Sequence, residues 1–160
     1  MEKILDKEPV KRVKKFITKF DDKQEILVLN TSAKTAKDAS DSLKCDIGAI
    51  VKSLLLKVGE DFLICLVAGD RRCSLNKLKK IFNKKDIHMA SADEVKLKTG
   101  FSIGGVSPVA HSSKLNIIAD NSLNRFPYVF AAAGHPNCIF KIKYNELIKI
   151  TNASEEEISE

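Results

Sequence analysis

A chain of 160 residues with 44% hydrophobic and 30% charged residues, 7 Gly and 4 Pro has material for one ordinary core and not for two comfortable domains. That balance excludes a disordered or low-complexity protein. The 27 Lys+Arg against 21 Asp+Glu leave +6, and because Glu155, Glu156, Glu157 and Glu160 fall at the C-terminal end, the body before them carries +10.

A basic body admits tRNA, other RNA or an anionic membrane surface as partner, through phosphate contacts and counterion release; a lysine-rich solubilising surface is the plainer alternative. No apolar run nears the ~20 residues that span a bilayer. Met1-Glu2-Lys3-Ile4-Leu5-Asp6 lacks a signal peptide's apolar stretch, so the expected location is cytoplasmic and no membrane partner is expected. Cys45, Cys65, Cys73 and Cys138 form no CxxC pair and are expected to be reduced and mostly buried.

Taken in chain order, Val10, Val13, Ile17 and Phe20 recur at helical spacing, with Pro9 suited to a first turn and Lys11, Arg12, Lys14, Lys15 and Lys19 filling much of the other face. Ile26–Leu29 reads as a strand, and Thr31 or Ser32 can cap a helix through Ala33 to Leu43. The apolar segments Ala49 to Val58 and Phe62 to Ala68, separated by Gly59-Glu60-Asp61, predict an antiparallel hairpin. Leu75, Leu78, Ile81 and Phe82 mark a helix opened by Ser74. Ser91-Ala92-Asp93-Glu94 has the form of a capping box, predicting a helix to Thr99 that stops at Gly100.

Beyond the loop from Gly100 to Ser113 come strands at Leu115–Ala119, Tyr128–Ala132 and Cys138–Ile142, then a helix over Tyr144–Ile150. Strands and helices mix without βα alternation, which predicts a single α+β domain, residues 1–153, on a mixed, curved, barrel-like sheet flanked by helices. Residues 154–160 are set apart as an acidic C-terminal tail.

Two features stand out chemically. Lys52 interrupts a strand face otherwise made of Ile50, Leu54 and Leu56; it either extends to solvent or sits at a cavity mouth where an anion compensates its desolvation. The segment Gly100-Phe101-Ser102-Ile103-Gly104-Gly105-Val106-Ser107-Pro108 holds three glycines and is either a structural turn or a loop that aims N–H groups at an oxyanion or phosphate. GxxxxGK[ST] and GxGxxG are absent. His88, His111 and His135 form no metal-ligand spacing, so neither metal nor cofactor is expected.

Read in order, Ile50-Val51-Lys52-Ser53-Leu54, the loop Gly100–Pro108 and Ala133-Gly134-His135-Pro136-Asn137 resemble the YbaK/prolyl-tRNA-synthetase-associated editing domain family. The resemblance covers roughly Thr31 to Ala153. It implies a mixed α/β fold around a curved sheet and hydrolysis of the ester linking a wrong amino acid to tRNA, most often alanine or cysteine on tRNA for proline. Mischarged aminoacyl-tRNA would then be the partner, with an aminoacyl-tRNA synthetase as a second candidate.

By resemblance, Lys52 takes the place of the family's essential lysine and Gly104 to Pro108 that of its G-x-x-x-P loop. Gly104 and Gly105 join Lys52 as the catalytic set, with Phe101, Ser102, Ile103, Val106, Ser107, Pro108, Asp120, Gly134 and His135 around the substrate. Asp120 can equally cap the following turn, and His135 can equally be an exposed loop residue. The segment Ala132–Asn137 resembles the stand-alone branches more than the cysteine-specific type, leaving the amino acid open.

An aminoacyl ester is already activated, so its hydrolysis needs an oriented water, a proton acceptor and oxyanion stabilisation, without requiring a protein nucleophile or a metal. Backbone N–H groups near Gly104 and Gly105 would bind the developing oxyanion. Lys52 would hold the terminal phosphate, the ribose or the substrate carbonyl, and a neighbouring tRNA hydroxyl would position water. The competing expectations are a non-catalytic tRNA- or protein-binding module of the same fold and a hydrolase of another small ester.

Overall fold

The computed structural model describes Lys3–Glu160; Met1 and Glu2, with which the predicted domain begins, lie outside the described residues. Helix α1 (Glu8–Phe20) buries Val10, Val13 and Ile17 completely, as their spacing of three and four residues requires. Phe20, expected on that stripe, is 41% exposed together with Phe16; the two are four residues apart and share the helix flank beside it.

After β1 (Leu27–Val28) comes α2 (Ala36–Leu43), which starts later than expected. Its cap is Thr35, whose Oγ1 accepts from Asp38 N at 3.1 Å, so neither Thr31 nor Ser32 serves. Thr35 immediately precedes the first helical residue and satisfies one of the first turn's unbonded N–H groups. Ala33 and Lys34 thereby stay outside the helix.

The hairpin of β2 (Ile50–Val58) and β3 (Asp61–Ala68) pairs antiparallel along its whole length, from Val51↔Ala68 to Val58↔Asp61. Helix α3 (Leu75–Phe82) opens on Ser74, whose side chain accepts from Lys77 N. A three-residue β4 (Ile87–Met89) precedes α4 (Ala92–Thr99), which carries both halves of the Ser91–Glu94 capping box and ends at Gly100 with φ of 79°. Then follow β5 (Asn116–Asp120), β6 (Tyr128–Ala132), β7 (Cys138–Lys143), α5 (Tyr144–Thr151) and β8 (Ser154–Glu156).

The eight strands form one mixed sheet in the order β1-β7-β6-β2-β3-β5-β8, with β4 also on β2. The sheet curls without closing into a barrel. Alternation along the central hairpin sends side chains to two apolar clusters. Val51, Leu55, Ile64 and Leu66 meet α1, Phe140 and Leu147, while Leu56, Val58, Leu63, Cys65 and Val67 meet Leu78 of α3 and Ile158.

Strands β4 and β8 carry no signal in the sequence pattern. Ser154-Glu155-Glu156 has no apolar alternation to read, and its backbone is recruited by parallel pairing of Ile118↔Ser154 through Asp120↔Glu156. Just beyond, Ile158 and Ser159 are buried.

Candidate active site

The central strand β2 changes partners along one of its edges. It pairs with β6 in parallel at Ile50 and Val51 and with β4 antiparallel from Leu56 to Val58. Between those ladders the edge stays open, and along it lies a cavity of about 270 Å³ whose wall includes Val51, Lys52, Ser53, Leu54 and Leu55. Five consecutive strand residues from both faces can line one cavity only because it runs along the edge. The remaining walls are mostly apolar, from Ala33, Ala39, Met89, Ala90, Val95, Phe130, Ala132 and Ile139.

Lys52 is half-buried at this edge, and its amine donates to the Arg71 carbonyl. Burial pulls its pKa below the ordinary lysine value; Cys73 and Asp70 nearby act in the opposite direction, and Arg72 adds to the lowering. The turn carrying Arg71 is anchored on both sides. Asp70 forms a two-pronged ion pair with Arg125, at 2.9 and 2.6 Å, and Arg72 exchanges backbone hydrogen bonds with Glu160.

Ile103, Gly104 and Val106 of the glycine loop line the same cavity as Lys52. The loop is backed by the Gly134–Pro136 turn: a Cβ on Gly105 would stand 2.9 Å from His135 N, and one on Gly134 (φ 91°) would stand 2.8 Å from the Pro9 backbone. The two motifs thus meet through glycines that allow backbone to touch backbone.

The loop's other residues have supporting places. Phe101 and Ser107 are wholly buried, Pro108 is buried and Ser102 exposed. Gly105 N–H is already bonded to Ser102 O at 3.0 Å. His135 Nδ1 accepts from Asn137 N at 3.0 Å, and desolvation, with Lys7 adding to it, lowers its pKa.

Helix α1 fastens this loop. Arg12 Nε donates to Ala110 O at 2.7 Å, and its guanidinium lies over the Phe101 ring, 4.6 Å from the centroid. His111 Nε2 lies 2.7 Å from Ser107 O and its ring meets Phe101 edge-on. Arg12→Ala is expected to lower stability by about 1–2 kcal/mol. Arg12→Lys should not restore it, because an ammonium cannot combine the directed bond with stacking; denaturant melts of the three proteins check this.

Residues 30–150 match the family model of the aminoacyl-tRNA editing domain. The chain belongs to that family. A solved structure described as that of a proposed trans-editing enzyme for prolyl tRNA synthetase superposes on this editing domain with a TM-score of 0.90, at 31% identity, covering 96% of this chain and 98% of that one. The Bacillus subtilis protein YwhH is 30% identical over 139 residues, 86% of this chain and 88% of that protein. A proline–tRNA ligase of Macrococcus caseolyticus is 36% identical over 90 residues, 56% of this chain but only 16% of the ligase.

Asp120 lies away from the editing domain's cavity. It is fully buried and gathers the C-terminus: Oδ1 accepts from Ile158 N at 2.8 Å and Ser159 N at 3.1 Å, and Oδ2 accepts from Ser159 Oγ at 2.8 Å and from the Ser122 hydroxyl. Burial alone would raise its pKa, but the hydrogen bonds from Ser122, Ile158 and Ser159 prevail and hold the carboxyl below the usual range. Its connection to Lys52 is indirect, through Ser159 and Glu160 to Arg72 and so to the Arg71 carbonyl.

The structure therefore brings Lys52, Ile103, Gly104 and Val106 into one cavity, with Gly105, Gly134 and His135 behind the loop and Asp120 elsewhere. Ser53, Lys34, Thr35, Met89 and Phe130 also line it and are not singled out by the sequence. Ser53, Met89 and Phe130 are ordinary strand residues that reach the cavity where the ladders on the edge of β2 are interrupted. Among the described residues no group of three or more His, Cys, Asp or Glu is placed to hold a metal ion, and no helix is long and apolar enough to cross a membrane.

Proposed function

We infer that this editing domain is a trans-editing hydrolase that removes a wrongly attached small amino acid, alanine or cysteine, from tRNA for proline. The observation that carries the reading is that Lys52 and Gly104 both line one mostly apolar cavity of about 270 Å³, on a chain whose relatives include proline–tRNA ligases. Among the described residues no carboxylate or thiol lines the cavity, and the reading therefore assigns no role to an acid–base dyad or a cysteine nucleophile. What it offers an ester is position, exclusion of water and charge stabilisation.

In this mechanism the aminoacyl end of the tRNA enters along the open edge of β2, with its side chain against Val51, Leu55 and Val95. The Gly104 N–H donates to the carbonyl oxygen as negative charge develops. Lys52 holds the ribose or terminal phosphate from its side of the strand, and a tRNA hydroxyl positions the attacking water. Because one methylene is worth only ~1–3 kcal/mol, selection works by excluding side chains larger than the apolar end admits. The exposed Lys11, Lys14, Lys15 and Lys19 of α1 supply sequence-independent attraction for the acceptor stem. The reaction takes place in the cytoplasm and uses no metal or cofactor.

The test is deacylation of tRNA for proline charged in turn with alanine, cysteine and serine. Release of alanine or cysteine well above the spontaneous rate is expected. No release from any of the three would move the protein to the class of non-catalytic tRNA- or protein-binding modules.

A further inference from the structure

Ser53 is unusual in two independent respects. Its hydroxyl is the one buried side-chain oxygen or nitrogen among the described residues that has no hydrogen-bond partner. Leaving such a group unpaired costs about 1–3 kcal/mol, and orphans of this kind call for a reason.

The second respect is its backbone. Peptide groups alternate sides along a strand. Ile50 O accepts from Gly69 N on the β3 side, whereas Leu55 O accepts from Ala90 N and Gly59 N donates to Asp86 O on the other. By that parity Val51, Ser53 and Leu55 all point away from β3. The β6 ladder ends at Val51 and the β4 ladder begins at Leu56, so the N–H and C=O of Ser53 face the unpaired gap. Ser53 thus turns a backbone donor and acceptor to the open gap of a mostly apolar cavity, with its uncommitted hydroxyl enclosed beside them.

We propose that Ser53 is the substrate-positioning residue for the α-ammonium group, and that the substrate class is therefore aminoacyl esters with a free amine, to the exclusion of N-acylated ones. This rests on the proposed function and specifies it. A free aminoacyl ester carries an ammonium beside its carbonyl, and an ammonium brought into an apolar cavity must find acceptors. The Ser53 carbonyl supplies one at the gap and the enclosed hydroxyl, on turning its rotamer toward it, a second, where no carboxylate of the described residues lines the cavity. Lys52 does not compete, because strand alternation sends its side chain to the other face, where its amine is bonded to Arg71 O. The Ser53 N–H remains for an oxygen of the same substrate, in the manner of a ligand paired to a strand edge. An N-acyl group removes the positive charge and two of the three donors and adds bulk at the edge.

The experiment compares wild type and Ser53→Ala on alanyl-tRNA and N-acetyl-alanyl-tRNA, together with the melting temperature of both proteins. Expected are at least a hundredfold wild-type preference for the free amine, a tenfold or greater fall in kcat/KM on alanyl-tRNA in S53A, and little change on the acetylated substrate. The melting temperature should stay the same or rise, since the variant removes an unpaired hydroxyl. A structural role would instead lower it. Equal activity of S53A and wild type, or equal wild-type rates on the two substrates, would overturn the assignment while leaving the editing function standing.

Should the wild type hydrolyse no aminoacyl-tRNA, the proposed function fails by itself. Ser53 is then judged by calorimetric binding of 3′-alanylamido-3′-deoxyadenosine. Tighter binding than of its N-acetyl form, weakened in S53A, supports the assignment; equal affinities or no binding refute it.

Discussion

Lys52→Ala is expected to lower the rate of aminoacyl-tRNA deacylation by about 10²–10³-fold, the usual consequence of removing one positioned electrostatic group, with stability changed by less than about 1 kcal/mol. The two effects separate because the amine is half-buried at an open strand edge, where its desolvation offsets much of what its hydrogen bond to Arg71 contributes. Lys52→Arg should recover little, since a planar guanidinium does not reproduce a compact ammonium on a flexible stem. Single-turnover deacylation assays and thermal melts on the same preparations decide the matter. Full activity in the alanine variant would remove Lys52 from the mechanism.

The pH dependence has a definite sign. Burial lowers the Lys52 pKa, so the charged form is lost as pH rises through a value below the ~10.4 of a free lysine. Enzyme-dependent hydrolysis, after subtraction of the spontaneous reaction, should fall earlier on the alkaline side than an ordinary lysine would dictate.

Asp120→Ala is expected to destabilise the fold by roughly 3 kcal/mol or more, because three backbone N–H groups and two hydroxyls around a fully buried carboxylate lose their acceptor together. The pH behaviour follows from the lowered folded-state pKa. The carboxylate's contribution is present above the unfolded value of ~3.9 and is lost as pH falls through the lower folded value. Urea melts of wild type and Asp120→Asn should therefore differ near neutrality and converge in acid.

Activity should fall with stability in Asp120→Ala. Freeing Ile158 and Ser159 loosens the Glu160–Arg72 pairing, and with it the turn whose carbonyl holds Lys52. A truncation ending at Glu157 tests the same path without touching Asp120, and retention of full activity by that truncation would break the proposed link.

Elements with strong local signals are legible in the sequence. The α1 stripe, the hairpin through Gly59, the Ser91–Glu94 capping box and the Gly100 stop each depend on residues within a few positions of one another, and local spacing is sufficient for them. The start of α2 is not legible in the same way, because Thr31, Ser32 and Thr35 are all competent caps and only packing chooses among them. The sequence resemblance places Lys52 and the glycine loop in one site, although strand alternation alone leaves the lysine's environment undecided. That Ile103, Gly104 and Val106 line the same cavity depends on the long-range packing of the Gly134 turn against Gly105.

What the linear chain determined is thus the inventory: one α+β domain, a basic body, a lysine inside an apolar strand, a glycine loop and a family. The tertiary structure decided which of these form the cavity. Asp120 and the last residues became a buried brace because backbone pairing of Ser154–Glu156 leaves no mark in side-chain pattern. Ser53 became a wall residue because β2 changes partners on either side of it, and a gap between two ladders is a property of three strands at once.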